Sequence, residues 1–230
     1  MRLLELFSGT QSIGHAFKAS GFEVESLDKR PDYNPTMCVD ILEWDYTCCL
    51  ENFFNVIWAS PDCTQYSIAR SKAKTPRDLE LADSLVLKAL EIIEYFKPRA
   101  WFIENPASSL LKTREFMYLI PCVTVSYCKY GYPYRKNTML WGTVTHFPWR
   151  SQCAKDCGKM IGRCHISWAQ KGGKLDWKND HTQLQLYTIP IALCEDIVQA
   201  SLKILSLPDN ELYVRSSTIL LTMSRLSRFQ

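Results

Sequence analysis

The chain has 230 residues, 47% of them hydrophobic and 22% charged, with a formal net charge of +3. That length and balance fit one globular domain, or one domain with a small appendage, and argue against disorder. No apolar run approaches the roughly 20 residues that span a bilayer, and the opening Met1 to Phe7 is too short and too soon acidic for a secretory signal. A cytosolic or nuclear setting is therefore expected, and ten cysteines in it point to thiols, metal ligands or nucleophiles rather than disulfides. The weak positive charge permits nucleic-acid binding without demonstrating it.

In chain order, Leu3 to Phe7 reads as a strand and Ser12 to Ser20 as a helix closed by Gly21. Glu23 to Leu27 is a second strand, ending at Asp28, and Phe54 to Ala59 is a third, leading into Ser60-Pro61. Leu79 to Phe96 is a long amphipathic helix stopped by Pro98, and Ala100 to Ile103 is a strand leading into Glu104-Asn105-Pro106. Alternating strands and helices predict an α/β fold, a doubly wound and mostly parallel sheet with helices on both faces. Functional groups in such sheets gather at the carboxyl ends of the strands, where Asp28, Cys63 and Glu104 all fall.

Three loops carry the chemistry. In Leu6-Phe7-Ser8-Gly9-Thr10-Gln11-Ser12 a glycine between strand and helix lets the backbone approach a ligand, and Asp28 is suited to ribose hydroxyls. By spacing alone, this turn is as readily a tight turn as a nucleotide site. Cys63, in Ser60-Pro61-Asp62-Cys63, is placed for thiolate attack, although taken alone, as one of ten cysteines, it reads more readily as a structural thiol. Glu104, deep in a cleft whose apolar surroundings favour its protonated form, is suited to a base edge; taken alone, Glu104-Asn105-Pro106 reads first as a strand-ending turn.

Taken in order with Tyr130-Gly131-Tyr132-Pro133-Tyr134-Arg135, these pieces resemble the DNA cytosine-5 methyltransferase family, most closely its small phage and viral enzymes. Ile189-Pro190-Ile191-Ala192-Leu193 and the helix after it, to Leu205, resemble the family's C-terminal motif. The resemblance covers residues 1 to 142 and 186 to 205. It implies a Rossmann-like methyltransferase core that uses S-adenosylmethionine on a flipped-out cytosine in double-stranded DNA. Cys63 would be the nucleophile, Glu104 would contact the base, and Arg135 would hold the base or a phosphate. Phe7, Gly9, Asp28, Asp40 and Pro61 would line the cofactor site. A monomer in the cytoplasm, or in the host cytoplasm or nucleus for a viral enzyme, is expected.

Asp62 stands where the family usually has proline, Thr64 where it has glutamine, Pro106 where it has valine, and Gln11 where a glycine is common. Lys136 and Asn137 do not reproduce the usual second arginine. These departures keep two alternatives open: a methyltransferase acting on RNA or a free nucleotide, and an inactive DNA-binding relative.

The stretch from Thr143 to Leu184 reads as an irregular insert between a core of residues 1–142 and a C-terminal part of residues 185–230. It sits where larger members carry target recognition, and Lys155, Lys159, Arg163, Lys171 and Lys174 make it basic. Cys153, Cys157, Cys164 and His165 are candidate ligands of a structural zinc. Adjacent Cys164 and His165 are poorly placed to hold one ion together, so His146 or His181 is an alternative fourth ligand; thiols packed in a loop are the competing reading.

Overall fold

The computed structural model describes residues 1–170 and 181–208. Lys171, Lys174 and the arginines of the C-terminal tail lie outside those residues.

A seven-stranded sheet runs in the order β3-β2-β1-β4-β5-β7-β6. Its strands are β1 (Arg2–Leu6), β2 (Glu23–Asp28), β3 (Met37–Cys38), β4 (Val56–Ala59), β5 (Ala100–Pro106), β6 (Cys122–Ser126) and β7 (Asn137–Gly142). The first five pair in parallel, whereas β7 lies antiparallel to both β5 and β6. The doubly wound architecture anticipated from the alternation, and the Rossmann-like core that the resemblance implied, are therefore present. β3, β6 and β7 were not anticipated: β3 has only two residues, and the other two follow a segment without helical spacing.

Four helices are described: α1 (Ser12–Ala19), α2 (Leu79–Phe96), α3 (Gln183–Tyr187) and α4 (Ile191–Leu205). Strand alternation sorts side chains between two apolar layers. Leu4, Leu6, Ile57, Ala59, Trp101 and Ile103 pack with the α2 residues Val86, Leu90 and Ile93. Leu3, Val56, Trp58, Ala100 and Phe102 pack on the opposite face with Phe17 of α1 and with Leu193 and Ile197 of α4. The C-terminal helix thus returns to the layer of the first helix. α2 begins on Asp78, whose side chain accepts from the Leu81 amide, and ends at Lys97 in a left-handed turn before Pro98.

The insert is less irregular than its sequence suggests. It contains a small hairpin, β8 (Met160–Ile161) with β9 (Cys164–His165), and α3 carries a full capping box between Thr182 and Gln185. Among the described residues no helix is long and apolar enough to cross a membrane.

Candidate active site

The parallel strands β1, β2, β4 and β5 all deliver their carboxyl ends to one cavity of about 470 Å³. Phe7, Ser8 and Gly9 line it from β1, Asp28 from β2, Pro61 and Cys63 from β4, and Glu104 and Asn105 from β5. Asp40 and Ile41 close one side, and Lys136 another. A larger recess of about 680 Å³ lies between α1 and α4, but it holds neither Cys63 nor Glu104.

The loop after β1 is sharply turned. Phe7, Gly9 and Gln11 all have left-handed φ, at 55°, 45° and 53°. For Phe7 and Gln11 that conformation costs on the order of 1 kcal/mol each, so it must be held from outside. The Ser8 amide donates to the Leu27 carbonyl at 3.0 Å, and the Gly9 amide to the Asp28 carboxylate at 2.9 Å. Gln11 fills the position where a glycine is common by anchoring its side-chain amide on the carbonyls of Tyr33 and Asn34. Asp28, 9% exposed, also accepts from the Arg30 amide, so it organises two loops while facing the cavity.

Under this loop lies Glu5, 2% exposed. Burial pushes its carboxyl up to about 8, against the opposing pull of the Gly14 and Ile13 amides of α1. Gly14 makes the approach feasible, because a Cβ there would stand 2.5 Å from the Glu5 carboxylate.

The loop after β4 is fixed on both sides of Cys63. The Asp62 carboxylate accepts from the Thr64 amide at 2.8 Å and from its hydroxyl, closing an Asx turn. Asp62 thus supplies, by hydrogen bonding, a restraint of the kind that the usual proline supplies through its ring. The Asn105 side-chain amide donates to the Pro61 carbonyl at 2.9 Å and ties this loop to β5. Further on, the Tyr66 hydroxyl donates to Asp83 of α2, which also pairs with Arg114.

Cys63 is a protonated thiol in this setting. Burial, then the negative charges of Glu104 and Asp62, push it up to about 11, while Lys136 pulls the other way. Glu104 is 8% exposed and accepts from the Thr138 hydroxyl. Lys136 lies over the Tyr127 ring, 4.8 Å from its centroid, and donates to the Leu186 carbonyl at 3.0 Å.

Arg135 does not line the cavity, and Lys136 does. Successive residues of an extended chain point to opposite sides, so Lys136 turns toward the cavity and Thr138 toward Glu104 while Arg135 turns away. Arg135 is exposed, and its charge, after burial, lowers the pKa of His165 in the insert. Cys63, Glu104, Phe7, Gly9, Asp28, Asp40 and Pro61 do share one cavity, as their place in the sequence suggested.

The candidate metal set needs a second correction. The clustered side chains are Cys128, Cys153, Cys157 and His165, whose donor atoms all lie within 4.8 Å of one another. Cys164 is exposed and outside the cluster, because it and His165 point to opposite sides of β9. Neither His146 nor His181 joins it; His181 instead meets the Ser167 hydroxyl at 2.9 Å. Cys128, in the turn Tyr127–Tyr130 after β6, carries no local spacing signal to Cys153.

The chain is 33% identical over 219 residues to a probable DNA (cytosine-5)-methyltransferase of Frog virus 3 (isolate Goorha), covering 86% of this chain and 99% of that protein. Two solved structures resemble the fold over 62% of this chain. One is a putative DNA modification methyltransferase encoded within an E. coli prophage, at 12% identity, TM-score 0.46 and 46% of that chain. The other is the Dnmt2 methyltransferase of S. pombe, at 16% identity, TM-score 0.42 and 50% of that chain. This chain thus spans about half the length of those two proteins. No family profile matches it.

Proposed function

This chain belongs to the DNA (cytosine-5)-methyltransferase family, and we propose that it methylates carbon 5 of cytosine in double-stranded DNA through a covalent adduct on Cys63. The observation that carries this reading is the single cavity in which a thiol, a carboxylate and an ammonium group meet a glycine-turned, acid-lined floor.

S-adenosylmethionine would supply an electrophilic methyl group on its sulfonium. The floor suits it. The buried Ser8 hydroxyl lacks a partner among the described residues, Gly9 lines the cavity in a left-handed turn without a side chain, and the cavity size falls in the range of small-molecule sites. Asp28 would accept from the ribose hydroxyls, Asp40 from the adenine amine, and Phe7 would face the ring.

Cytosine carbon 5 becomes nucleophilic only after attack at carbon 6. The Cys63 thiol must first lose its proton to solvent, a step that Lys136 favours and Glu104 opposes. The thiolate sulfur then bonds carbon 6, and the displaced ring electrons move toward nitrogen 3 and the carbonyl. Glu104 would hold nitrogen 3 and the exocyclic amine, with Thr138 fixing its orientation. After methyl transfer, loss of the carbon 5 proton to a base expels the Cys63 thiolate and restores the ring. The target atom is inaccessible inside a duplex, so the base must be flipped out, at a cost of a few kcal/mol.

The basic side chains Lys155, Lys159 and Arg163 of the insert would meet phosphates, which position a protein without specifying sequence. So small a segment can supply few base contacts, and a target of about two to four base pairs is expected, with affinity that falls steeply as salt rises. The activity is tested by incubating the full chain and labelled S-adenosylmethionine with duplex DNA, RNA or free cytidine nucleotides, then digesting the products. Labelled 5-methylcytosine in DNA alone is the expected result. Label confined to RNA or nucleotides would overturn the substrate, and no label in any arm would overturn the reaction.

A further inference from the structure

We infer that Cys128, Cys153, Cys157 and His165 form a structural zinc site that fastens the insert to the catalytic sheet. The inference is independent of the proposed reaction. Four soft or borderline donors, three thiols and one imidazole, converge with all ligand atoms within 4.8 Å of one another. Around a tetrahedral zinc with Zn–S bonds near 2.3 Å, neighbouring sulfurs stand about 3.8 Å apart, so the site needs only a small contraction. Among first-row metals, three thiolates with one imidazole favour zinc over the oxygen-seeking cations.

The surroundings are those of a built site. The Lys155 amide donates to the Cys153 sulfur at 3.3 Å, and the Cys153 Sγ and His165 Nε2 stand 3.5 Å apart. Such amide-to-sulfur bonds stabilise a thiolate ligand. Two left-handed residues, Lys155 and Gly158, turn the chain tightly so that both cysteines face inward. The Cys153 amide donates to Ser126 Oγ at 3.0 Å, and Lys129 pairs with Asp156 at 2.6 Å, so the loop is already seated against the end of β6.

The donors come from two parts of the chain. Cys128 belongs to the turn directly after β6, whereas the other three belong to the insert. The insert is short and its hairpin has two residues per strand, too little to bury a core of its own. A metal bridging Cys128 to the hairpin would supply that stability. It would also hold the insert beside the β6–β7 segment that carries Lys136 and Thr138 to the cavity.

The test is metal analysis of the full chain purified without added chelator. One zinc per chain is expected, displaceable by cobalt with the visible absorption bands of a tetrahedral thiolate site. Cys157→Ala and His165→Ala should lose the metal, His165→Cys should retain it, and Cys164→Ala should leave content and spectrum unchanged. Cys128→Ser should lose the metal while far-ultraviolet circular dichroism reports whether the sheet still folds; if that variant does not fold, red-shifted cobalt bands in His165→Cys, as a fourth thiolate weakens the ligand field, decide the donor set. A metal-free wild type that does not bind cobalt, a disulfide among the three cysteines of freshly reduced protein, or metal loss in Cys164→Ala would overturn the proposal.

Discussion

The carboxyl edge of the parallel strands and the β6–β7 region with its insert are built on different principles. At the first, each functional residue lies in the last three positions of its own strand or within four residues after it, and the parallel register brings the residues together. At the second, the groups that meet come from distant parts of the chain: Lys136 with Cys63, Thr138 with Glu104, Cys128 with Cys153. A site made by strand ends is visible in sequence, because strand periodicity announces each position. A site made by folding a hairpin back on the sheet is not.

Mutations can break this comparison. The largest effect should come from Cys63→Ser, which we expect to lower methyl transfer at least a hundredfold while cofactor binding persists, because a hydroxyl is a far weaker nucleophile than a thiolate. Labelled methyl transfer and calorimetry on the same preparation check both halves. Asp28→Ala should weaken S-adenosylmethionine binding about tenfold or more, as expected for lost charge-assisted hydrogen bonds worth about 1.5–3 kcal/mol. Since Asp28 also holds the Gly9 amide, calorimetric affinity unchanged by this substitution would remove both roles at once.

Lys136→Met probes the non-local half. With its thiol pushed up to about 11, Cys63 is mostly protonated at neutral pH, so the wild-type rate should rise with pH. Without the Lys136 ammonium the thiol moves higher still and the rising limb shifts to more alkaline pH. A shift of about one unit would lower the neutral-pH rate about tenfold. Arg135→Ala should leave that limb in place, and an equal shift in both variants would show that the two side chains are not sorted as described.

The smallest effect belongs to Glu5. Its folded pKa, about 8, lies above the unfolded carboxylate value of 4.5, so its stabilising contribution is full below about 4.5 and is lost as pH rises through about 8. Glu5→Gln should therefore flatten the fall in melting temperature between pH 5 and 8. Parallel pH dependences in the two proteins would show that Glu5 is ionised in the fold.

What was legible in the sequence follows from the same contrast. α2 was readable to the residue because its apolar stripe, Asp78 cap and Pro98 stop coincide. The cavity residues from Phe7 to Glu104 were readable because each sits at or just after the carboxyl end of a strand. Arg135 was singled out over Lys136 by residue type, whereas in the extended segment leading into β7 it is Lys136 that lines the cavity. Cys164 was included in the metal set by proximity in sequence, when the two-residue strand β9 turns it away and the fold brings in Cys128. Gln11 and Asp62 depart from the family pattern, yet both are accommodated by hydrogen bonds that only the folded chain displays.

The central claim, that Cys63 is the covalent nucleophile of a DNA cytosine methyltransferase, is tested most directly with a duplex carrying 5-fluorocytosine. Fluorine at carbon 5 cannot leave as a proton does, so an enzyme that works through a thiolate adduct is trapped on the DNA after methyl transfer. Incubation of the full chain with this duplex and S-adenosylmethionine, followed by denaturation, proteolysis and mass spectrometry, should yield a methylated fluorocytosine adduct on the peptide containing Cys63. Methylated 5-methylcytosine product from ordinary duplexes with no trapped adduct, or an adduct mapped to another of the ten cysteines, would contradict the account.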